Sequence, residues 1–342
     1  MTQHAPVDRD GEVLELQWES PDAAQPRASI VLTTWQHERF AAAAVGSALS
    51  QTVPFELVIR DDGSTDNTVA AVIAAVESSL AGSRATRVIV LRGLVNRGLG
   101  HNFTRAVQQC RCAWIFNFDG DDVSSPDRLE LGLSQLAGMP EARAFFSSSV
   151  HSELIDDLPS FDEIRGGCLG DGILLDSGNI GATMAVRRDI VERFGPLPDR
   201  IVSHDQLLES RARLMGGVVF ARCVVVKRRW HAANITRLVY GPGDPDRLRA
   251  AHRDMIRRIE DFAGCVRICP PAAQSAEHDP PRIAEEMILS VLRGWSSGFG
   301  FPGASGLRAL VVLTPHAASK WSIAKGLVQA MGRPLKLWMS RN

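Results

Sequence analysis

Asp119, Asp121 and Asp122 lie just beyond the apolar run Ala113-Trp114-Ile115-Phe116, with Gly120 between the first two acids. An apolar run of that length reads as a buried strand. Carboxylates at the carboxyl end of a strand in an open α/β sheet stand where such sheets bind ligands. Asp-x-Asp brings two oxygen donors within reach of one hard cation, Mg²⁺ or Mn²⁺. The chemistry this suggests is a metal-assisted reaction of a phosphate-bearing substrate. Taken alone, the same four residues also fit an acidic turn.

A second acidic segment, Asp61-Asp62-Gly63-Ser64-Thr65-Asp66, follows the apolar run Phe55-Glu56-Leu57-Val58-Ile59-Arg60. A glycine turn and a helix cap account for Gly63 and for one of Ser64, Thr65 and Asp66. They do not account for two adjacent acids directly after a strand. An acid there suits hydrogen bonding to a base or ribose edge. Downstream, Ser203-His204-Asp205-Gln206 opens a helical pattern. Ser203 and Gln206 have the spacing of a capping box, and Asp205 falls in the first turn, where the macrodipole favours a carboxylate.

The elements that must position these groups alternate along the chain. Strands are expected at 28–34, 55–60, 86–91 and from Trp114. Helices are expected at 38–50, 66–80 and 100–110. That alternation means βαβ units and a mostly parallel sheet flanked by helices. Ser125-Pro126-Asp127 reads as a helix start with Ser125 as N-cap. Further strands are expected at 144–150, 181–187 and 218–226, with a helix near 204–215 and a glycine-rich loop over 157–178. From about 241 the pattern turns helical, at 247–262, 283–293 and 319–331. Residues 1–27 read as a polar lead-in of low order, 28–240 as the α/β domain (28–130 and 131–240 as its halves) and 241–342 as a helical extension.

The chain has 342 residues, is 45% hydrophobic and 23% charged, and carries a net charge of −1. Those values suit a globular protein and give no polyanion-binding signal, so no nucleic-acid partner is expected. The six cysteines lack zinc-site spacing, which suits a reduced, cytoplasmic setting. The acids Asp8, Asp10, Glu12, Glu15 and Glu19 stand where a signal peptide would be basic and then apolar, so none is expected. No apolar run reaches the ~18 residues of a membrane span. From 287 onward the chain has Arg and Lys but no Asp or Glu, with Trp295, Trp321 and Trp338 interspersed. This tail reads equally as a peripheral contact with an anionic membrane face or as a helix packed on the domain.

Several classes are excluded. The first strand is not followed by Gly-x-Gly-x-x-Gly, no Gly-x-x-x-x-Gly-Lys-Ser/Thr is present, and no Gly-x-Ser-x-Gly elbow occurs.

Taken in order, Ser29 to Trp35, Ala48-Leu49-Ser50-Gln51-Thr52, Asp61 to Thr68, Asn96-Arg97-Gly98, Asn102 and Asp119-Gly120-Asp121-Asp122 resemble the inverting family 2 glycosyltransferases of the GT-A fold. The resemblance is strong over 28–130 and looser over 180–237. It implies a nucleotide-sugar donor (UDP-, dTDP- or GDP-linked), a Mg²⁺ or Mn²⁺ ion and transfer of a hexosyl or deoxyhexosyl group. The implied acceptor is a surface polysaccharide or lipid-linked glycan. Thr34 and Trp35 would line the nucleobase pocket, with Gln36 in place of a usual Asn. Asp61 and Asp62 would serve the nucleotide, and Asn96 and Asn102 would shape its pocket. Asp119 would face the ribose and, with Asp121 and His231, the metal. Asp205 would be the general base, with Glu209 one turn on as its substitute. A sugar-nucleotide pyrophosphorylase shares a related architecture but needs a glycine-rich turn where this chain has Thr33-Thr34-Trp35-Gln36. A catalytically silent nucleotide- or glycan-binding protein would keep Asp61 and Asp119 and have no need of Asp205.

Overall fold

The computed structural model describes residues 11–21, 24–152, 158–166, 174–177, 180–232, 234, 245–268, 284–285, 287–289 and 313. The chain divides into two compact units. The first holds residues 1–200, 204–206 and 218–231, and the second holds 201–203, 207–217 and 232–342.

The first unit is built on one mixed sheet. Its strands are β1 (Glu12–Glu19), β2 (Ala28–Thr34), β3 (Phe55–Asp61), β4 (Ala85–Gly93), β5 (Trp114–Asp119), β6 (Val123–Ser124), β7 (Ala142–Ser152), β8 (Leu174–Ser177), β9 (Ala185–Arg187) and β10 (Gly217–Arg229). They run in the order β1-β4-β3-β2-β5-β9-β7-β10-β6, with β8 paired to β7. β2 pairs in parallel with both β3 and β5, and β3 with β4. The described ladders of β1, β6, β8 and β9 are antiparallel. Among the described ladders, parallel pairing joins only β2, β3, β4 and β5, the strands linked through helices. β2 and β3 are buried along their whole length, as continuous apolar runs between two helical layers require.

Helices α1 (Ala41–Leu49), α2 (Thr68–Ser79) and α4 (Arg128–Leu136) pack Ala44, Val45, Val72, Val76 and Leu129 onto one face against Ile30, Leu57, Phe116 and Phe118. α3 (Leu99–Val107) packs against β2 and β3. The strand order changes direction at β2: the chain runs outward from β2 through β3 to β4, then crosses back to β5 on the other side of β2. The carboxyl ends of β2, β3 and β5 meet at that switch, where open α/β sheets hold ligands.

Four features differ from the sequence expectation. Residues 12–19 are a strand, not part of a disordered lead-in: Glu12 pairs with Gly93 and Glu19 with Arg87 along β4. The 157–178 segment contains α5 (Phe161–Arg165), opened by a capping box between Ser160 and Glu163, as well as β8. The expected strand at 181 begins as a 3-10 turn, Gly181–Thr183, before β9. Ser125 is not the cap of α4, which starts at Arg128 without a side-chain cap; the Ser125 hydroxyl instead accepts from Arg165 at 3.0 Å.

In the second unit, α8 (Pro245–Ile268) buries Ile259, Phe262 and Val266. Its Asp261 makes a two-pronged pair with Arg211 at 3.0 and 2.5 Å. The 319–331 helix and the basic tail lie outside the described residues, as does most of 283–293.

A buried charge network explains why β1 is there. Arg60 Nε donates to Glu12 Oε1 at 2.6 Å, and Glu12 Oε2 receives Arg105 at 3.1 Å. Arg60 also donates to Asn102 Oδ1 at 2.7 Å and lies 3.6 Å from Asp62. Breaking such a pair leaves a buried charge uncompensated. Glu12→Ala is expected to lower unfolding free energy by ~3–5 kcal/mol, read from the denaturant midpoint at constant m-value. A loss under ~1 kcal/mol, the size of an exposed pair, would contradict it.

Candidate active site

Strand register brings the first set of residues together. Thr34 stands beside Asp61 and Thr33 beside Asp119 across the parallel ladders. Asp61 is fully buried. Its Oδ1 accepts from Ser64 N at 2.7 Å, and its Oδ2 from Ser64 Oγ at 2.5 Å and Thr34 Oγ1 at 3.3 Å. Burial raises its pKa, against the lowering effect of the Ser64 and Thr34 bonds. Trp35, just past β2, is 44% exposed and offers a free indole face. Gln36 adopts a positive φ of 57°. Its side chain ties the β2 loop to the β3 loop by accepting from Thr65 N at 2.9 Å and donating to Thr65 Oγ1 at 3.0 Å.

Two of the expected nucleotide contacts are turned into the scaffold. Asp62 Oδ1 accepts from Arg97 N at 3.2 Å, and Oδ2 from Gly98 N at 2.7 Å. Asp62 therefore shapes the 96–98 loop. Asn102 joins Arg60 to the carbonyl of Thr34, at 2.7 and 3.3 Å. Asn96 is half-buried on that loop, and its backbone nitrogen would lie 3.0 Å from a Cβ at Gly63. Gly63 has φ +73° and this close neighbour, so a side chain is excluded there on both counts.

The turn after β5 gives each acid a different partner. Gly120 N donates to Thr33 O at 3.0 Å and Asp122 N to Asp119 O at 3.2 Å, closing the turn against β2. A Cβ on Gly120 would lie 2.6 Å from Thr34 Cγ2, 2.7 Å from His37 Nδ1 and 2.8 Å from Thr33 O. Asp119 Oδ1 receives Asn117 Nδ2 at 2.9 Å. Asp122 is buried and accepts from Arg229 N at 2.8 Å, which fixes the end of β10. Asp121 Oδ2 lies 3.0 Å from His231 Nε2 and 4.0 Å from His37 Nε2. Burial and mutual repulsion raise the pKa of Asp119, and raise that of Asp122 well above the carboxylate range. For Asp121 burial also acts upward, but the His231 bond and the charges of His37 and His231 prevail and lower it. Among the described residues no group of three or more His, Cys, Asp or Glu side chains forms a ready metal cage. The donor set nevertheless suits a divalent cation, because the Asp121 carboxylate and the His231 imidazole nitrogen converge at one point of the sheet edge.

Asp205 begins α7 (His204–Met215). Its Oδ2 accepts from Gly181 N at 2.9 Å and its Oδ1 from Gln206 N at 2.8 Å. The Gly181 carbonyl in turn receives Asn117 Nδ2 at 2.9 Å. Asn117 thus links Asp119 to the turn that holds Asp205. Ser203 does not form the expected capping box: its hydroxyl donates to Asp254 Oδ2, and Asp254 Oδ1 receives Val202 N at 2.7 Å. Glu209 pairs with Arg213 at 2.7 Å. His37, Asn117 and Arg128 were not foreseen. A histidine three residues past the end of a strand, beside Thr34-Trp35, was the available sign of the first. The polar Asn117 inside an apolar strand was the sign of the second.

Comparison with known proteins agrees with this architecture. The structure of a mannosyltransferase from Pyrobaculum calidifontis, in complex with GDP-Man and Mn²⁺, superposes with a TM-score of 0.50 at 16% identity. The alignment covers 92% of this chain and 90% of that one. The fold is thus that of the GT-A glycosyltransferases. Residues 29–148 match the family model Glycosyl transferase family 2. A stretch of 111 residues is 33% identical to a chondroitin synthase of Escherichia coli, over 32% of this chain and 15% of that protein. A glycosyltransferase of Bacillus subtilis, EpsE, is 29% identical over 106 residues, which is 31% of this chain and 36% of that protein. The matched stretch is therefore a minor part of both curated relatives.

The bonds at Asp62 give a test of its scaffold role. Asp62→Ala is expected to speed amide exchange at Arg97 and Gly98 at least ~10-fold, equivalent to ~1.4 kcal/mol of lost local stability. The Ser64 amide, held by Asp61, should stay protected. Unchanged exchange at both positions would remove Asp62 from this role.

Proposed function

We propose that the protein is a metal-dependent, inverting glycosyltransferase that moves a sugar from a nucleoside-diphosphate donor to an acceptor hydroxyl. The observation that carries this reading is the placing of Asp61 and Asp119 at the carboxyl ends of the two strands that flank β2 in parallel, with Asp121 in the turn beyond and His231 against it. Asp61 retains lone pairs for a base N–H, and Trp35 offers its face to the base. Asp119 would accept from the ribose. Asp121, Asp119 and His231 would hold Mg²⁺ or Mn²⁺. A divalent cation bound there offsets the negative charge that develops on the departing nucleoside diphosphate.

Asp205 is the general base in this scheme. The acceptor oxygen attacks the anomeric carbon and its proton passes to a carboxylate oxygen of Asp205. The bond to the phosphate oxygen breaks with its electron pair, and the configuration inverts. The two backbone amides that hold Asp205 fix its orientation before the acceptor arrives. The hexosyl or deoxyhexosyl class of the sugar, and an acceptor in surface polysaccharide or lipid-linked glycan synthesis, rest on the family resemblance.

A panel of UDP-, dTDP- and GDP-sugars titrated with and without Mn²⁺ tests the donor site. Binding that ignores both the metal and Asp121→Ala would overturn it. Asp205→Asn is expected to retain donor binding and lose at least ~10²-fold in transfer rate; an unchanged rate would remove Asp205 from the chemistry.

A cytoplasmic protein touching the inner membrane face through its basic tail is part of the same reading. Among the described residues no helix is long and apolar enough to cross a membrane. Flotation with anionic vesicles should fall when residues from 302 onward are removed, and equal flotation would sink the idea.

A further inference from the structure

Asn117 is a polar side chain inside a buried, largely apolar strand. It lies between Phe116 and Phe118 on β5 and is 1% exposed. Successive side chains of a strand point to opposite faces, so Asn117 and Asp119 share one. Its Nδ2 donates to Asp119 Oδ1 and to the Gly181 carbonyl, both at 2.9 Å. Its Oδ1 is buried and has no hydrogen-bond partner among the described residues. The amide cannot turn over to satisfy that oxygen, which would then face a carboxylate and a carbonyl, two acceptors. A buried acceptor without a partner costs stability, and an apolar side chain of similar size would avoid the cost. What offsets it is the pair of bonds that Nδ2 donates, one of them to a charged group.

Those bonds hold a turn. Asn117 N donates to Met184 O at 3.0 Å, and Met184 N to Gly181 O at 3.1 Å. Backbone and side chain of Asn117 thus grip both ends of the 3-10 turn that opens at Gly181. Gly181 is also closed in by the His204 ring, since a Cβ there would lie 2.8 Å from His204 Cε1. The Gly181 amide, so placed, donates to Asp205 Oδ2 at 2.9 Å. Arg128 fixes Asn117 in turn by donating to its carbonyl at 2.7 Å.

We propose that Asn117 is a positioning residue for the general base: its amide, anchored on Asp119, sets the Gly181 turn, and the turn sets the Asp205 carboxylate. The proposal rests on the reading of Asp205 as the base. Asn117 touches no reacting atom in this scheme. It acts by fixing where the proton acceptor stands, and a misplacement of ~1 Å costs about 10²-fold in rate. With an apolar side chain at 117, the Gly181 carbonyl would keep Met184 N and lose its side-chain anchor on β5. Asp205 would keep Gln206 N, on its own helix, while the donor from the Gly181 turn would no longer be held in place.

The test is a double-mutant cycle on the full-length protein. Single-turnover hydrolysis of the UDP-, dTDP- and GDP-sugar panel is followed with Mn²⁺, water standing in for the acceptor. The water oxygen attacks the anomeric carbon, its proton passes to Asp205, and the bond to the phosphate oxygen breaks with its electron pair. Asn117→Leu is expected to slow hydrolysis at least ~10-fold in the wild-type background and less than ~2-fold in the Asp205→Asn background, because residues that act through one group are not additive. A purely structural role, or one through Asp119 alone, gives equal factors in both backgrounds and would overturn the proposal. Hydrogen exchange supplies a readout without any donor. The Gly181 amide should exchange at least ~10-fold faster in Asn117→Leu, with the Ser64 amide, held by Asp61, unchanged. Unchanged exchange at Gly181 removes Asn117 from this role whatever the rates. Asn117→Ser, whose hydroxyl is too short to reach both partners, repeats both measurements if the leucine variant folds poorly. A wild type that hydrolyses no member of the panel sinks the reading of Asp205 as base and this proposal with it; equal factors in an active wild type sink the proposal alone.

Discussion

Three carboxylates within four residues repel one another, and the turn after β5 exists because that repulsion is offset from beneath. Arg128 is buried, donates to Asn117 O at 2.7 Å and Ser124 Oγ at 2.8 Å, and lies over the Phe118 ring at 4.3 Å. Burial pushes its pKa down to about 9, with Asp119 and Asp122 acting in the opposite direction. It is the cationic anchor for the acids above it. Around that anchor the acids separate by partner: Asp119 to an amide, Asp122 to a backbone N–H, Asp121 to imidazole. A cluster of like charges becomes three distinct groups.

The amide that serves Asp119 does a second task. Asn117 Nδ2 carries two hydrogens, and both are used, one on Asp119 and one on the Gly181 carbonyl. Gly181 N then reaches Asp205. A single buried side chain thus couples the acid at the donor end of the sheet to the acid read as the base, through two bonds of fixed length. Gly181 itself must lack a side chain, since a Cβ would stand 2.8 Å from His204 Cε1.

The parallel core was legible because β2, β3 and β5 are largely apolar runs alternating with helical patterns, and acids mark the ends of β3 and β5. The edge strand was not: β1 alternates and is rich in acids, and what places it is the distant guanidinium of Arg60, which no local pattern reveals. The capping box at Ser160 and Glu163 was present in the sequence but hidden among glycines. At Ser125 and Ser203 the reverse held, since Arg165 and Asp254 took the hydroxyls that local rules had given to helix ends. Asp62 and Asn102 show the same limit within the site. Their types fit a ligand pocket, yet each is committed to neighbouring backbone or to Arg60, and only the packed chain reveals that.

The middle position of Asp119-Gly120-Asp121 is usually written as a free letter, but here it is not free. Its bare Cα is the floor on which the His37 ring rests, against Thr34 and the Thr33 carbonyl. Sequence variation at residue 120 is thereby tied to residue 37, some eighty positions earlier. Any side chain gained at 120 would evict the imidazole, and it would still meet Thr34 Cγ2 and the Thr33 carbonyl, so loss of the imidazole alone does not free the position.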